Sequence, residues 1–145
     1  MPDRDSQACE TWRLFIQVLA VERSRLPTIA SELGLSEAQC RVLELLDPST
    51  SVPMCNVARA LDCDPSNVTG IVDRLEARGL VERSPDRADR RVKKLMLTRV
   101  GKELRARLLE RLAEPPAQIR SLSLSDQRAL CAILQRVSGP ARSSG

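Results

Sequence analysis

Apolar residues recur at helical spacing along most of this chain and at strand spacing in only two short places. Trp12, Phe15, Ile16, Leu19 and Ala20 share one face of a helix predicted over Glu10 to Leu26. Pro27 is expected to break or kink it, because proline has no N–H to donate and its ring collides with the carbonyl four residues back. Thr28 to Leu33 resume the helix, and Gly34 closes it. Ser36 with Gln39 three residues later is a capping box that opens a helix through Leu46, with Val42, Leu43 and Leu46 inward. Asp47 to Pro53 holds two prolines among small polar residues and reads as a loop.

From Met54 to Val81 the pattern tightens into two helices joined by a short polar break. Val57, Ala58 and Leu61 give the first a narrow apolar face, and Asp62 to Asp64 interrupts it. Asp64 is placed to cap the second helix, with Pro65 in the first turn, where a fixed φ and a missing N–H are harmless. Val68, Ile71, Val72 and Leu75 lie within about one third of that helix's circumference, and Gly79 stops it. The opposite face carries Ser66, Asn67, Gly70 and Asp73, flanked by Thr69 and Arg74. Small side chains let such a helix sink into the major groove, where Ser, Asn and Thr reach base edges or phosphates. An ordinary two-helix corner with a solvated face has the same local pattern, so the segment that follows decides between them.

Leu80 to Arg83 and Leu95 to Leu97 are short strand candidates. Six cations face two anions between Arg83 and Lys94, a surplus of +4 that equals the formal net charge of the whole 145-residue chain. The excess charge is therefore concentrated in one hairpin. Two strands flanking a basic finger directly after a helix-turn-helix describe a winged helix. In that arrangement the second helix enters the major groove of double-stranded DNA. Arg87, Arg90 and Arg91 of the wing reach the adjoining minor groove, whose narrow A·T-rich geometry deepens the negative potential. Asp89 would repel phosphate if left free, and it is predicted to pair with a neighbouring Arg and fix the finger's direction.

Thr98 is expected to cap a helix over Arg99 to Ala113, striped by Val100, Leu104, Leu108, Leu109 and Leu112 and ended by Pro115 and Pro116. Ser125 caps a last helix with Leu130, Ile133, Leu134 and Val137 apolar, and Gly139 to Gly145 reads as a disordered tail. These helices and the first carry stripes that need a cover, which intertwined packing with a second copy of the chain would provide. The expected class is mainly α with a small β-wing (α+β): a winged helix-turn-helix with N- and C-terminal dimerisation helices, one domain overall. Residues 1–34 form the N-terminal dimerisation region, 35–98 the DNA-binding lobe, 99–138 the C-terminal dimerisation helices and 139–145 the tail.

Composition narrows the function further. A sequence pI near 9.1 favours a polyanionic partner. There is no histidine, and five scattered cysteines without a CxxC pair disfavour a disulfide framework or a zinc ribbon. No metal, cofactor or catalytic residue is expected, and with no nucleophile beside a base and no Gly-rich phosphate loop the chain does not read as an enzyme. One Trp, one Phe and no Tyr leave no aromatic platform for single-stranded nucleic acid. No apolar run approaches the ~20 residues of a membrane span and Met1 to Glu10 lacks the features of a signal peptide, so a cytoplasmic protein is expected. Cys40, Cys55 and Cys131 read as small core residues, whereas Cys63, in the turn of the helix-turn-helix, is a candidate redox thiol.

Three stretches resemble the MarR family of bacterial winged-helix transcription regulators. LSEAQCRVLELL (Leu35 to Leu46) is similar to the family's second helix, and LSDQRALCAIL (Leu124 to Leu134) to its dimerising last helix. SNVTGIVDRLEARGLVERSPDRADRRVKKLMLTRVGKEL (Ser66 to Leu104) resembles its recognition helix, wing and fifth helix. The most specific part is the triplet Asp89, Arg90, Arg91 followed by Leu97, Thr98 and Gly101. The resemblance, which runs from Glu10 to Val137, implies a homodimer on a pseudo-palindromic operator, usually repressing until a small molecule or oxidant loosens the complex. It implies Ser66, Asn67, Thr69 and Arg74 at the major groove and Arg90 or Arg91 in the minor groove, with Arg91 anchored by Asp89 as first choice.

Pro27 departs from the family's unbroken first helix. Cys9 lies near the reactive thiol of the hydroperoxide-sensing branch. That branch supports its thiolate with tyrosine hydroxyls, so here a cation such as Arg13 would have to serve. The alternative, a winged helix that binds protein without sequence-specific DNA recognition, conflicts with the positive wing, because protein interfaces deplete charge at their core.

Overall fold

The computed structural model describes residues 3–139. Its helices are α1 (Arg4–Arg23), α2 (Arg25–Glu32), α3 (Glu37–Leu45), α4 (Met54–Leu61), α5 (Pro65–Ala77), α6 (Arg99–Ala113), α7 (Ala117–Arg120) and α8 (Leu124–Ser138). Its strands are β1 (Val52–Pro53), β2 (Val81–Pro85) and β3 (Lys93–Leu97). The chain divides into two compact units, Met1–Ala113 and Glu114–Gly145. The predicted tail beyond Gly139 lies outside the described residues.

In the first unit, α3, α4 and α5 converge on one core closed by the sheet and by α2 and α6. Val42, Leu43 and Leu46 from α3 and its C-cap, Val68, Val72 and Leu75 from α5, and Leu95 from β3 are essentially inaccessible to solvent. Each fully buried side chain of this size contributes roughly 1.5–3 kcal/mol. The helix ends follow their chemistry. Ser36 and Gln39 form the expected reciprocal capping box on α3, while Arg105 of α6 donates to the free carbonyls of Leu43 (3.0 Å) and Glu44 (3.4 Å) at its other end. Thr98 accepts the N–H of Gly101 at 3.0 Å and donates to the Gly79 carbonyl at 2.6 Å, tying the start of α6 to the end of α5. A Cβ on Gly101 would lie 1.8 Å from the Leu80 carbonyl oxygen, so only glycine fits where the first turn of α6 meets the backbone just before β2.

Several expectations change. The first helix begins at Arg4 rather than Glu10, and it breaks at Ser24, not at Pro27. Pro27 instead occupies the first turn of α2, where a missing N–H leaves no bond unmade. Residues 47–53 are not all loop: Val52 and Pro53 pair with Leu95 and Lys94, giving the sheet order β1-β3-β2. This is an edge, the place where a strand proline is tolerated. Asp64 is the N-cap of α5 but makes no side-chain cap bond; its carbonyl accepts from Asn67 (3.0 Å) and Val68 (3.2 Å) instead. Val100 of the predicted α6 stripe is exposed.

In the second unit the N-cap of α8 is Ser123 rather than Ser125: its hydroxyl accepts from the Asp126 N–H at 3.2 Å and donates to the Asp126 carboxylate at 2.6 Å. The short helix α7 follows the two prolines unannounced, held to α8 by Gln127, which donates to the carbonyls of Ile119 and Leu122. Neither α1 nor α8 contains a buried residue. No helix among the described residues is long and apolar enough to cross a membrane.

Candidate nucleic-acid interface

The second helix of the helix-turn-helix, α5, buries Val68, Val72 and Leu75 and leaves Ser66, Asn67, Thr69, Asp73 and Arg74 exposed. The turn before it is set by Asp62, whose left-handed backbone (φ 50°) is tolerated because a short polar side chain suits that region. Thr69 donates its hydroxyl proton to the Pro65 carbonyl at 2.9 Å, so outward it presents only lone pairs and a methyl group. Gly70 has ordinary helical geometry, and a Cβ there would meet nothing within 4 Å. The fold therefore has no internal need for glycine at this position, although glycine costs a helix about 1 kcal/mol relative to alanine.

The hairpin β2–β3 runs in register from Val81 opposite Leu97 to Pro85 opposite Lys93. At its tip, Asp86 accepts the N–H groups of Ala88 (2.7 Å) and Asp89 (3.3 Å) and the ammonium of Lys94. The hydrogen bond from Lys94, followed by those from the two N–H groups, holds the Asp86 carboxyl below its ordinary range. Asp89 does not pair with an arginine side chain, as was expected of it. Its carboxylate accepts the backbone N–H of Arg91 at 3.0 Å and its carbonyl that of Val92 at 2.9 Å, because the turn brings those donors nearer than any guanidinium. It thus orients Arg91 through the main chain.

Four wing cations, Arg87, Arg90, Arg91 and Lys93, are exposed and form no ion pair among the described residues. The other two are committed: Lys94 to Asp86, and Arg83 to Asp73 and Glu76 on α5. Between α5 and the wing lies an open cleft of about 470 Å³, lined by Met54 and Cys55 of α4, Thr69 of α5 and Arg83, Arg91 and Lys93 of the hairpin. The structure thus brings α5 and the wing to one side of the lobe, as the sequence pattern required. Sequence reasoning missed Asp86, Lys94 and Arg83 as the groups that shape this side. An aspartate three residues before Asp89 in a polar turn was a usable signal for Asp86; nothing local announced the reach of Arg83 to α5.

The thiols divide differently from expectation. Cys40 is buried, and burial, with Glu44 and Glu37 adding, pushes its thiol up to about 11. Cys55 and Cys131, predicted to be core, are exposed, as are Cys9 and Cys63. Arg13, the cation sought beside Cys9, is engaged bidentately by Glu10 at 2.8 and 2.6 Å. Among the described residues no three His, Cys, Asp or Glu side chains group as a metal site.

Comparison with known proteins agrees with this architecture. The family model described as MarR family matches residues 35–93, from just before α3 to the start of β3. The uncharacterized HTH-type transcriptional regulator YfiV of Bacillus subtilis is 32% identical over 106 residues, covering 73% of this chain and 66% of that protein. The HTH-type transcriptional repressor MdtR of the same organism is 38% identical over 68 residues, covering 47% of this chain and 44% of its own length. The chain thus spans at most about two thirds of the curated relatives it matches. A transcriptional regulator from Thermotoga maritima superposes with a TM-score of 0.76 at 27% identity, covering 90% of this chain and 92% of that one. A helix-turn-helix followed by a basic β2–β3 hairpin, with matching sequence from just before α3 to the start of β3, places the chain in the MarR family, a family of winged-helix transcription regulators and not of enzymes.

Proposed function

We propose that this chain is a sequence-specific regulator that binds double-stranded DNA as a homodimer, in the cytoplasm, on a pseudo-palindromic operator. Ser66, Asn67, Thr69, Gly70 and Arg74 would face the major groove, and Arg87, Arg90 and Arg91, with Asp89 holding the last by its backbone, would reach the minor groove. The observation that carries the reading is the group of unpaired wing cations beside the exposed polar face of α5. A cation with no internal partner keeps its full attraction for phosphate.

The uncovered apolar faces of α1 and α8 support the homodimer, and the repressor MdtR among the relatives supports repression as the mode of control. A small molecule or oxidant would relieve it by preferring an arrangement of the two recognition helices other than the spacing of about 34–36 Å that one DNA turn demands. An oxidant would meet exposed thiols at Cys9 and Cys63.

The test is to enrich a duplex from a random pool with the wild-type protein and to titrate it at several salt concentrations. Enrichment of an inverted repeat is expected, with log K falling against log salt by about 0.9 per phosphate contacted. Arg91→Ala should weaken binding to that duplex by about tenfold, equal to ~1.4 kcal/mol, with fold and dimer intact. Failure to enrich any duplex, or a salt-independent affinity, would favour a protein-binding role and defeat the proposal.

A further inference from the structure

Arg83 stands apart from the other cations of the hairpin. It projects from β2 toward α5, with its side chain only 23% exposed. One guanidinium nitrogen donates to Glu76 at 2.8 Å. The other donates to Asp73 at 2.6 Å and to the Thr69 carbonyl at 3.3 Å. The three acceptors follow one edge of α5 over two turns, so a single planar fork spans the helix edge that faces the wing.

That edge is also where an acid does most harm to DNA binding. Asp73 and Glu76 are 55% and 41% exposed, beside the polar face that carries Asn67, Thr69 and Arg74. Bare carboxylates there would oppose phosphate over the short distances at which surface charges are poorly screened. We propose that Arg83 is a positioning residue for DNA binding: an internal counter-charge that holds Asp73 and Glu76 against the wing without itself contacting nucleic acid. Three of its donor directions are already taken within the chain, unlike those of Arg87, Arg90 and Arg91. The inference rests on the DNA-binding reading above. It adds that the +4 surplus of the hairpin segment is not all directed outward, since part of it neutralises the recognition helix.

The test titrates the enriched duplex with the wild-type chain and three variants. Arg83→Ala should lower affinity about tenfold or more. Adding Asp73→Asn and Glu76→Gln to Arg83→Ala should restore it to within about threefold of wild type, with an unchanged salt slope, which a merely structural defect would not do. A triple variant that stays as weak as Arg83→Ala, or whose slope falls by about 0.9, would show that Arg83 is needed in its own right or touches phosphate, and would overturn the inference. So would wild-type affinity in Arg83→Ala. Should Arg83→Ala fail to fold by circular dichroism, the double variant Asp73→Asn/Glu76→Gln decides. With Arg83 kept it should bind at least as tightly as wild type, and a tenfold loss would mean that the acids themselves read DNA. If the wild type enriches no duplex, the DNA-binding reading itself has failed, a result distinct from all of these.

Discussion

Helices α5 and α1 both carry apolar residues at helical spacing, on one face of α5 and on more than one side of α1, and these residues meet opposite fates. Val68, Val72 and Leu75 of α5 are at most 1% exposed, whereas Trp12 of α1 is 62% exposed. The chain's only two aromatic side chains, Trp12 and Phe15, stack on each other with centroids 5.7 Å apart. Along another side of α1, Leu14, Val18 and Val21 are also exposed, at the four- and three-residue steps of one helix face. A helix apolar on two sides requires two neighbours. Periodicity thus says which residues need cover; it does not say which chain supplies it.

The largest expected effect tests the covered side of this contrast. Leu43→Ala, in the inaccessible centre of the first unit, should destabilise it by roughly 2–5 kcal/mol in urea unfolding monitored by circular dichroism. An unchanged midpoint would remove α3 from the core. The uncovered side is tested by Ile16→Asp on α1, which should weaken self-association by about 1.5–3 kcal/mol per side chain lost from the interface while leaving the helical spectrum intact. Sedimentation velocity reads this, and an undiminished dimer would exclude that face from the contact.

Gly70→Ala sharpens the distinction between what the fold needs and what binding needs. With open space at its Cβ position, the variant should be more stable by about 1 kcal/mol yet bind the enriched duplex more weakly. Equal or tighter binding would show that DNA does not approach the helix there.

The smallest effect is chemical. At pH 8 a maleimide should label Cys55 and Cys63 quickly and Cys40 only on unfolding, as mass spectrometry can follow. Because the folded thiol of Cys40 is raised from 9.0 to about 11, its contribution to stability is fully present below about pH 9 and is lost as pH rises through 11. Early labelling of Cys40 would mean that α3 opens locally.

Much of the candidate interface was legible because its determinants are local. The capping box at Ser36 and Gln39, Pro65 at the start of α5, Gly79 after it and Thr98 before α6 each act within a few residues, and each stands where its chemistry requires. The misreadings share a cause. The cap of α8 fell to Ser123 because two serines compete within one turn, and the strand at Val52 and Pro53 exists only because β3 offers it an edge. Cys55 and Cys131 looked like core residues because their size and polarity suit either environment.

Spacing, caps and clustered charge by themselves determined a helix-turn-helix, the basic hairpin after it and the residues on its outer face, since such signals depend on neighbours along the chain. Which cations remain free was decided only by tertiary structure. Arg83 and Arg91 are alike in sequence, but one is brought within reach of two carboxylates ten and seven residues back, while the other is held outward by a turn. The field of a charge depends on distance in space, which chain order does not specify.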